Sequence, residues 1–386
     1  MTESKADNFA IGEATLTLHV TGAERLGALL ALIGGAQSSL RLFYYIFAQD
    51  EAGRQVRDAM IAACGRGVNV SLTIDGFGSS ATDAFLAPLQ AAGADVCRFL
   101  PRLGRRYLLR NHQKMALADD NRALIGGFNV ANDYFSDSGP THWRDLGLSV
   151  EGSPVHKLAG YYDSLAAWSR KSGARLRHLR RALGRWSDQE GQLRWLMGGP
   201  TRRLNPWTRA IRNDLKSVRA LELISAYFVP SPFMLGRIAG VSRRGGDVNV
   251  LTAAKSDNDI TIAAARHSYH RLLKHGVKVW EYRAARLHTK LLILDDVVYL
   301  GSANFDMRSL YLNLEIMLRI EDKGFADHMR AYAENERVLA QAITPALHRR
   351  RRARWFARLR WSIAYFLVGV LDNSVSRRLN FGRSWK

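Results

Sequence analysis

The chain has 386 residues, 47% hydrophobic and 24% charged, a globular usage that excludes disorder as the default and is long enough for two domains plus an appendage. Its 56 Lys and Arg against 35 Asp and Glu give a formal net charge of +21, so an anionic partner, nucleic acid or anionic lipid, is expected. Cys64 and Cys97, the only cysteines, lie in neither a CxxC nor a Cys/His ligand spacing, which argues against a disulfide scaffold or zinc site and fits a reducing compartment.

Residues 1–15 carry Glu3, Asp7 and Glu13 and lack the apolar core of a signal peptide. No apolar run elsewhere reaches the roughly 20 residues needed to span a bilayer, so a soluble or peripheral protein is expected. The first strand signal is the run Leu42-Phe43-Tyr44-Tyr45-Ile46-Phe47. An amphipathic helix ending at Arg66-Gly67, a strand over 68–74 and a turn at Gly93 before Val96-Cys97-Arg98-Phe99 follow. The chain then delivers His112-Gln113-Lys114, Asp119 and Gly126-Gly127-Phe128-Asn129. A basic stretch over 170–185, with Arg175, Arg177, Arg180 and Arg181, reads either as a solvated helix face or as an anion-facing one.

Beyond it the whole series recurs in order. An apolar run with Leu221, Leu223, Ile224, Tyr227 and Phe228 leads to Arg244-Gly245, a strand over 248–252 and Gly276 before Val277-Lys278-Val279-Trp280. His288-Thr289-Lys290, Asp295 and Gly301-Ser302-Ala303-Asn304 complete it. The offsets are 244 − 66 = 178, 276 − 93 = 183 and 288 − 112 = 176, a drift of a few residues over half the chain. Strands alternating with helices, twice, give an α/β fold: two similar domains, each a mixed sheet flanked by helices, over 1–187 and 188–343.

The doubled motif carries chemistry. In extended chain, residues i and i+2 share a face, so each His-x-Lys presents an imidazole beside an ammonium. Turns at Asp119-Asp120-Asn121 and Asp295-Asp296 send a second strand back toward Asn129 and Asn304, and the small Gly126-Gly127 and Gly301-Ser302 pairs are expected to leave room for a bulky anion. The spacing from Asp295 to Gly301 is one residue shorter than from Asp119 to Gly126, so the hairpins differ in detail. Brought together at the domain interface, His112, His288, Lys114, Lys290, Asn129 and Asn304 form a cationic cradle for one phosphate, with no metal or cofactor required. One neutral His attacks phosphorus while the other, protonated, donates to the leaving alkoxide; the Lys and Asn side chains offset the charge on the non-bridging oxygens.

These residues resemble the doubled signature of the phospholipase D superfamily, over roughly residues 40–342. Within it, Tyr227-Phe228-Val229-Pro230, Ser256-Asp257, Leu287-His288-Thr289-Lys290, Trp143-Arg144-Asp145 and the stretch from Gly301 through Arg308 and Asn313 to Glu315 are most similar to bacterial cardiolipin synthases that lack N-terminal membrane spans. Ser225-Ala226-Tyr227 departs from the Thr-Pro-Tyr common there. The resemblance implies that Asp145 and Glu315 orient His112 and His288, that His112 is the nucleophile and His288 the acid, and that the substrate is phospholipid. Asp119 and Asp295 belong to the motif, and their turn positions suit capping as well as chemistry.

The segment 344–386 opens on Thr344-Pro345, a helix-start signal, and runs through eleven basic residues from Arg349 onward against Asp372 alone. Phe356, Leu359, Ile363, Phe366 and Val370 fall on one helical face, so a basic amphipathic helix at a membrane interface is expected, a helix resting on its own domain being the other reading. The expected partner is an anionic phospholipid membrane at the cytoplasmic face of the cell, bound peripherally, with phosphatidylglycerol as donor and acceptor and cardiolipin as product. Tyr44, Tyr45, Phe47, Tyr227 and Phe228 are candidates for an acyl-chain wall, or ordinary core aromatics. A nuclease or hydrolase of the same superfamily and a non-catalytic membrane scaffold are the rival functions. Nucleic acid is the less favoured partner: the Asn313/Glu315-containing stretch and the tryptophan-rich, apolar tail stand against it, and a nuclease would more often interleave base-stacking aromatics through its cleft. Nothing in the sequence fixes an oligomeric state.

Overall fold

The segment Ser-Leu-Arg-Leu-Phe-Tyr over 39–44 alternates as a strand: Leu40, Leu42 and Tyr44 lie under helices, whereas the other face carries Ser39 and Arg41 and, at its end, Phe43, which joins the core shared by the two halves. The protein is seen in a computed structural model that describes residues 7–100, 109–171, 173–201, 204–353 and 355–371, with the backbone alone at 370 and 371. The first half contains β1 (Asn8–Ile11), β2 (Ala14–His19), β3 (Ser39–Tyr44), β4 (Asn69–Asp75), β5 (Asp95–Phe99), β6 (Met115–Ala118), β7 (Arg122–Gly126), β8 (Trp143–Arg144) and β9 (Gly147–Gly152). All but β8 form one sheet in the order β1-β2-β9-β7-β6-β3-β4-β5, parallel only among β3, β4 and β5.

The second half adds β10 (Leu193–Gly198), β11 (Ala220–Ser225), β12 (Phe228–Val229), β13 (Asp247–Ala253), β14 (Lys278–Tyr282), β15 (Arg286–Leu287), β16 (Lys290–Leu294), β17 (Val297–Gly301), β18 (Phe305–Asp306), β19 (Glu315–Glu321) and β20 (Ala340–Ala342). Its sheet runs β10-β19-β17-β16-β11-β13-β14-β20, again parallel only in the β11, β13, β14 trio. The order β9-β7-β6-β3-β4-β5 thus repeats as β19-β17-β16-β11-β13-β14, so the fold is α/β, with two mixed sheets flanked by helices and related by duplication. The helices Glu51–Gly65 and Pro232–Arg243 end alike, with Gly67 at φ 85° and Gly245 at φ 84°, a left-handed backbone that glycine adopts without a Cβ penalty.

The two sheets share one core. Leu117, Ile125 and Leu148 of the first belong to the same buried cluster as Ile224, Leu291 and Leu318 of the second, while each sheet's outer face has its own core under its helices. The β6–β7 loop holds three residues, 119–121, and the β16–β17 loop two, 295 and 296, which accounts for the spacing difference between the motifs.

The basic stretch forms a helix, Leu176–Arg185, that buries Leu179 and Leu183 and turns Arg177 and Arg181 to solvent. At the C-terminal end the helix Pro345–Ala353 is capped by Thr344, whose Oγ1 accepts the Leu347 N–H at 3.1 Å. The following helix, Trp355–Tyr365, buries Trp361 and Ala364 against Val229, Ala263 and Ala264. The segment therefore does rest on its own domain, with its opposite face exposed. Residues 372–386, including Arg377, Arg378, Arg383 and Lys386, and the side chain of Val370 lie outside the described residues.

Candidate active site

The short extended segment before each histidine finds its backbone partner in the other half of the molecule. β8 pairs in parallel with β15, setting Arg144 opposite Leu287, and Asn111 bridges Leu314 in the same sense. One residue further on, His288 therefore stands beside Asp145 and His112 beside Glu315. Backbone bonds fix the register: His288 N–H donates to the Arg144 carbonyl at 2.7 Å and His112 N–H to that of Leu314 at 3.0 Å. His112 Nδ1 lies 2.9 Å from Glu315 Oε1, and His288 Nδ1 lies 2.6 Å from Asp145 Oδ2. Each half thus supplies the carboxylate for the other half's imidazole. A carboxylate at Nδ1 holds the ring proton there and leaves Nε2 with its lone pair.

Behind the rings, Lys114 Nζ donates to the His112 carbonyl at 2.7 Å, and Lys290 Nζ donates to that of His288. Both lysines are almost wholly buried. Asn129 Oδ1 accepts the Ile46 N–H at 3.1 Å, and the buried Oδ1 of Asn304 has no hydrogen-bond partner among the described residues.

The glycine pairs act differently from the sequence-based expectation. A Cβ at Gly127 would sit 2.5 Å from Asp145 Oδ1 and 2.8 Å from Lys290 Cδ, so the small residue admits the carboxylate and lysine stem rather than an outside anion. At the matching position of the second half, Ser302 Oγ donates to Glu315 Oε2 at 2.5 Å and accepts the Ile316 N–H at 3.0 Å. Asp119 and Asp295 do not join the site. They stand at the far ends of β6 and β16, where φ values of 52° and 50° mark tight turns; Asp119 accepts the N–H groups of Gln37, Ser38 and Ser39, and Asp295 those of Arg219 and Ala220. Side-chain caps of this kind satisfy backbone donors where neighbouring strands begin.

Both histidines open onto one cavity of about 590 Å³, whose wall also includes Asn129, Asn304, Tyr45, Tyr134, Tyr227, Arg110 and Arg308. Lys114 and Lys290 are not among the lining residues. Of the five aromatics expected at an acyl wall, Tyr45 and Tyr227 line the cavity, whereas Tyr44 at the end of β3, Phe47 in a bridge to Val130 and Phe228 in β12 are fully buried in the outer cores.

Burial sets the electrostatics. It drives His112 well below the usual imidazole range, helped by Lys114, Lys290 and Arg308, and it brings His288 to about 3, helped by Lys290 and opposed by Asp145. Burial lowers Lys114 strongly and Lys290 to about 8. The carboxylates diverge. Glu315 is pushed up to about 8 by burial, while at Asp145 the upward push of burial is outweighed by the charge of Lys290 and the bond to His288, which hold it below the usual range. In the His112–Glu315 pair both directions express one fact: charge separation is disfavoured in so dry a setting.

Arg110, Asp257, Asp306 and Tyr134 line the cavity and were not singled out as site residues from the sequence. An Arg two residues before each motif His was a readable signal for Arg110, yet its counterpart Arg286 lies 5.6 Å over the Trp143 ring instead. Asp257 accepts the Tyr227 hydroxyl at 2.6 Å, and Asp306, raised to about 6 by burial, accepts the Arg308 and Ser309 N–H groups.

Comparison with known proteins adds the family context. A family model described as cardiolipin synthase, phospholipase D-like domain, matches residues 29–159 and 211–337. The chain is 30% identical to cardiolipin synthase 1 of Bacillus cereus over 84% of this chain and 67% of that protein, and 32% identical to cardiolipin synthase B of Salmonella typhimurium over 78% and 75%. It spans 60% to 67% of the length of the Bacillus and Geobacillus relatives. Among solved structures, phosphatidylserine synthase of Haemophilus influenzae superimposes with a TM-score of 0.71 over 94% of this chain and 97% of that one, at 15% identity, a likeness of fold.

Proposed function

The chain belongs to the cardiolipin synthase, phospholipase D-like domain family, and from that membership together with the paired-histidine cavity we propose that it is a phosphatidyltransferase that joins two phosphatidylglycerol molecules into cardiolipin and glycerol. The observation that carries the reading is the crossed pair of dyads, with two imidazoles on one cavity wall and each Nδ1 held by a carboxylate of the opposite half. His112 Nε2 attacks phosphorus, the bond to the glycerol oxygen breaks, and His288 gives its Nε2 proton to the departing alkoxide. A hydroxyl of the second phosphatidylglycerol then passes its proton to His288 and attacks phosphorus, and the phosphorus–nitrogen bond breaks to free His112.

Electrostatics support this order. Burial, helped by the lysine charges, keeps both rings neutral, which the nucleophile needs, and the negative charge of an arriving phosphodiester raises both rings, which supplies the acid its proton. Lys114 and Lys290 reach the site through their field, Asn129 and Asn304 by direct contact at the wall. The positive charge is the protein's own, so the proposed chemistry uses no metal or cofactor. Among the described residues no helix is long and apolar enough to cross a membrane. Free Cys64 and Cys97 suit a reducing compartment, so the same reading puts the protein at the cytoplasmic face of an anionic membrane, attached peripherally through its basic C-terminal segment.

The test supplies purified protein with phosphatidylglycerol in mixed micelles and measures cardiolipin and glycerol, which should appear in equal amounts. Phosphatidic acid as sole lipid product would make the protein a hydrolase, and cleavage of DNA alone would make it a nuclease.

A further inference from the structure

Six large apolar side chains stand exposed along the C-terminal helix and the turn that follows it: Trp355, Phe356, Leu359, Ile363, Phe366 and Leu367, each between 44% and 68% accessible. At 100° per residue they occupy the face opposite Trp361 and Ala364, which bury against the Asp259–Lys274 helix. The ridge is therefore anchored from behind and has no cover among the described residues. Exposed arginines flank it, Arg358 and Arg360 on the same helix and Arg349 and Arg350 on the preceding one.

The ridge also runs into the reactive cavity. Leu367 and Val368 form part of the cavity wall, beside Ile260 of the Asp259–Lys274 helix, and Phe77 lines it from the first half. Phe77, Ile260 and Leu367 are 66%, 49% and 44% exposed, so three separate elements give the mouth an apolar rim. Apolar surface continuous with a polar, cationic interior is the reverse of a soluble ligand's entry, where a polar rim would meet water.

We infer that the ridge and the rim form one bilayer-docking surface for an anionic phospholipid leaflet, which seats the cavity mouth on the membrane so that lipid enters from the leaflet without crossing water. The arginine flanks select the anionic surface and the apolar ridge inserts at the acyl boundary. The inference rests on the proposed lipid substrate for its purpose, while its geometry stands on the exposed residues alone.

The experiment compares the full chain with an F356S/L359S/I363S variant, whose three positions are exposed and do not line the cavity. Binding is read by flotation with vesicles of phosphatidylglycerol in phosphatidylcholine and with phosphatidylcholine alone, and mass in solution by light scattering. The parent should prefer the anionic vesicles, and the variant should bind them at least about tenfold more weakly. Transfer on short-chain phosphatidylglycerol dispersed below its micelle concentration should stay within about twofold, while transfer on vesicles drops with binding. Equal vesicle binding by parent and variant overturns the inference, as does a parent dimer that the substitutions convert to a monomer without changing vesicle binding, since a second copy would then cover the ridge. Absence of transfer by the parent on dispersed lipid would overturn the proposed chemistry and leave the flotation result to decide the docking surface.

Discussion

Replacing Glu315 with Gln should lower turnover by about four powers of ten while leaving the fold intact. The reasoning starts at Ser302, whose oxygen accepts the Ile316 N–H at 3.0 Å and whose hydroxyl donates to Glu315 Oε2 at 2.5 Å. In E315Q that donation claims the amide oxygen and turns the amide nitrogen toward His112 Nδ1, now 2.9 Å from the Oε1 position. An N–H facing Nδ1 makes that nitrogen an acceptor and moves the ring proton to Nε2, the attacking atom. In the serine protease triad, an Asp-to-Asn change with the same tautomeric effect costs about 10⁴ in kcat, or ~5.4 kcal/mol. Mere loss of a charge-assisted hydrogen bond would cost only ~1.5–3 kcal/mol, so the size of the effect separates the two causes. Gln has the size and shape of Glu and keeps a hydrogen bond to Ser302 and to His112, so the melting temperature should move little. The assay is rapid-quench formation of the phosphoenzyme from labelled phosphatidylglycerol. Adding S302A frees the amide to turn over and should recover at least about tenfold of the loss. E315Q turning over within tenfold of the parent would refute control of the tautomer by Glu315.

Further expectations concern the same cluster. H112A and H288A should each abolish turnover, with the double variant scarcely slower than either, as for residues that act as a unit; substantial activity in one single variant would separate their roles. Activity should survive exhaustive chelation, and a reversible divalent-ion requirement at the chemical step would contradict a cradle built from protein cations. G127A would set a methyl 2.5 Å from Asp145 Oδ1, so activity should fall more than about tenfold with a stability loss of ~1–3 kcal/mol, read by kinetics and denaturant titration. Lys290, lowered by burial to about 8, carries its charge below that pH and loses it above, so affinity for an inert phosphodiester analogue should weaken as pH rises through about 8. His288, lowered by burial to about 3, is neutral at pH 7, and anion binding should therefore take up protons, visible as a buffer-dependent heat of binding.

The duplication was legible because it is written as order and spacing along the chain, and those survive whatever the side chains do in space. The glycines at 67 and 245 and the turns at 119 and 295 follow from local backbone chemistry alone. The histidine partners were named from resemblance, but the crossing of the dyads was not, since it depends on Leu287 meeting Arg144 and Asn111 meeting Leu314 across more than a hundred residues. Gly127 was misread for a related reason: smallness shows in the sequence, and what fills the space does not. Tyr44 and Phe47 were offered as cavity aromatics because an apolar run does not say which of its residues turn into the helix-covered core and which, like Tyr45, reach the cavity. The C-terminal segment carried both of its readings in one helical period; one face rests on the domain, and the other stands exposed.

The crossed dyads also govern when the molecule becomes competent. As the chain emerges, the first half can complete its outer core and its hairpin, yet His112 waits for Glu315, 203 residues downstream, and the face bearing Leu117, Ile125 and Leu148 waits for the second sheet. Covering that face and completing both dyads are one event. A nascent or clipped first half therefore holds a buried-type histidine with no proton partner beside an uncovered apolar sheet, which makes it inert as a catalyst and adhesive as a surface. Reactivity is in this way withheld until the last β-strands are in place, a safeguard that arises from topology and needs no separate inhibitory segment.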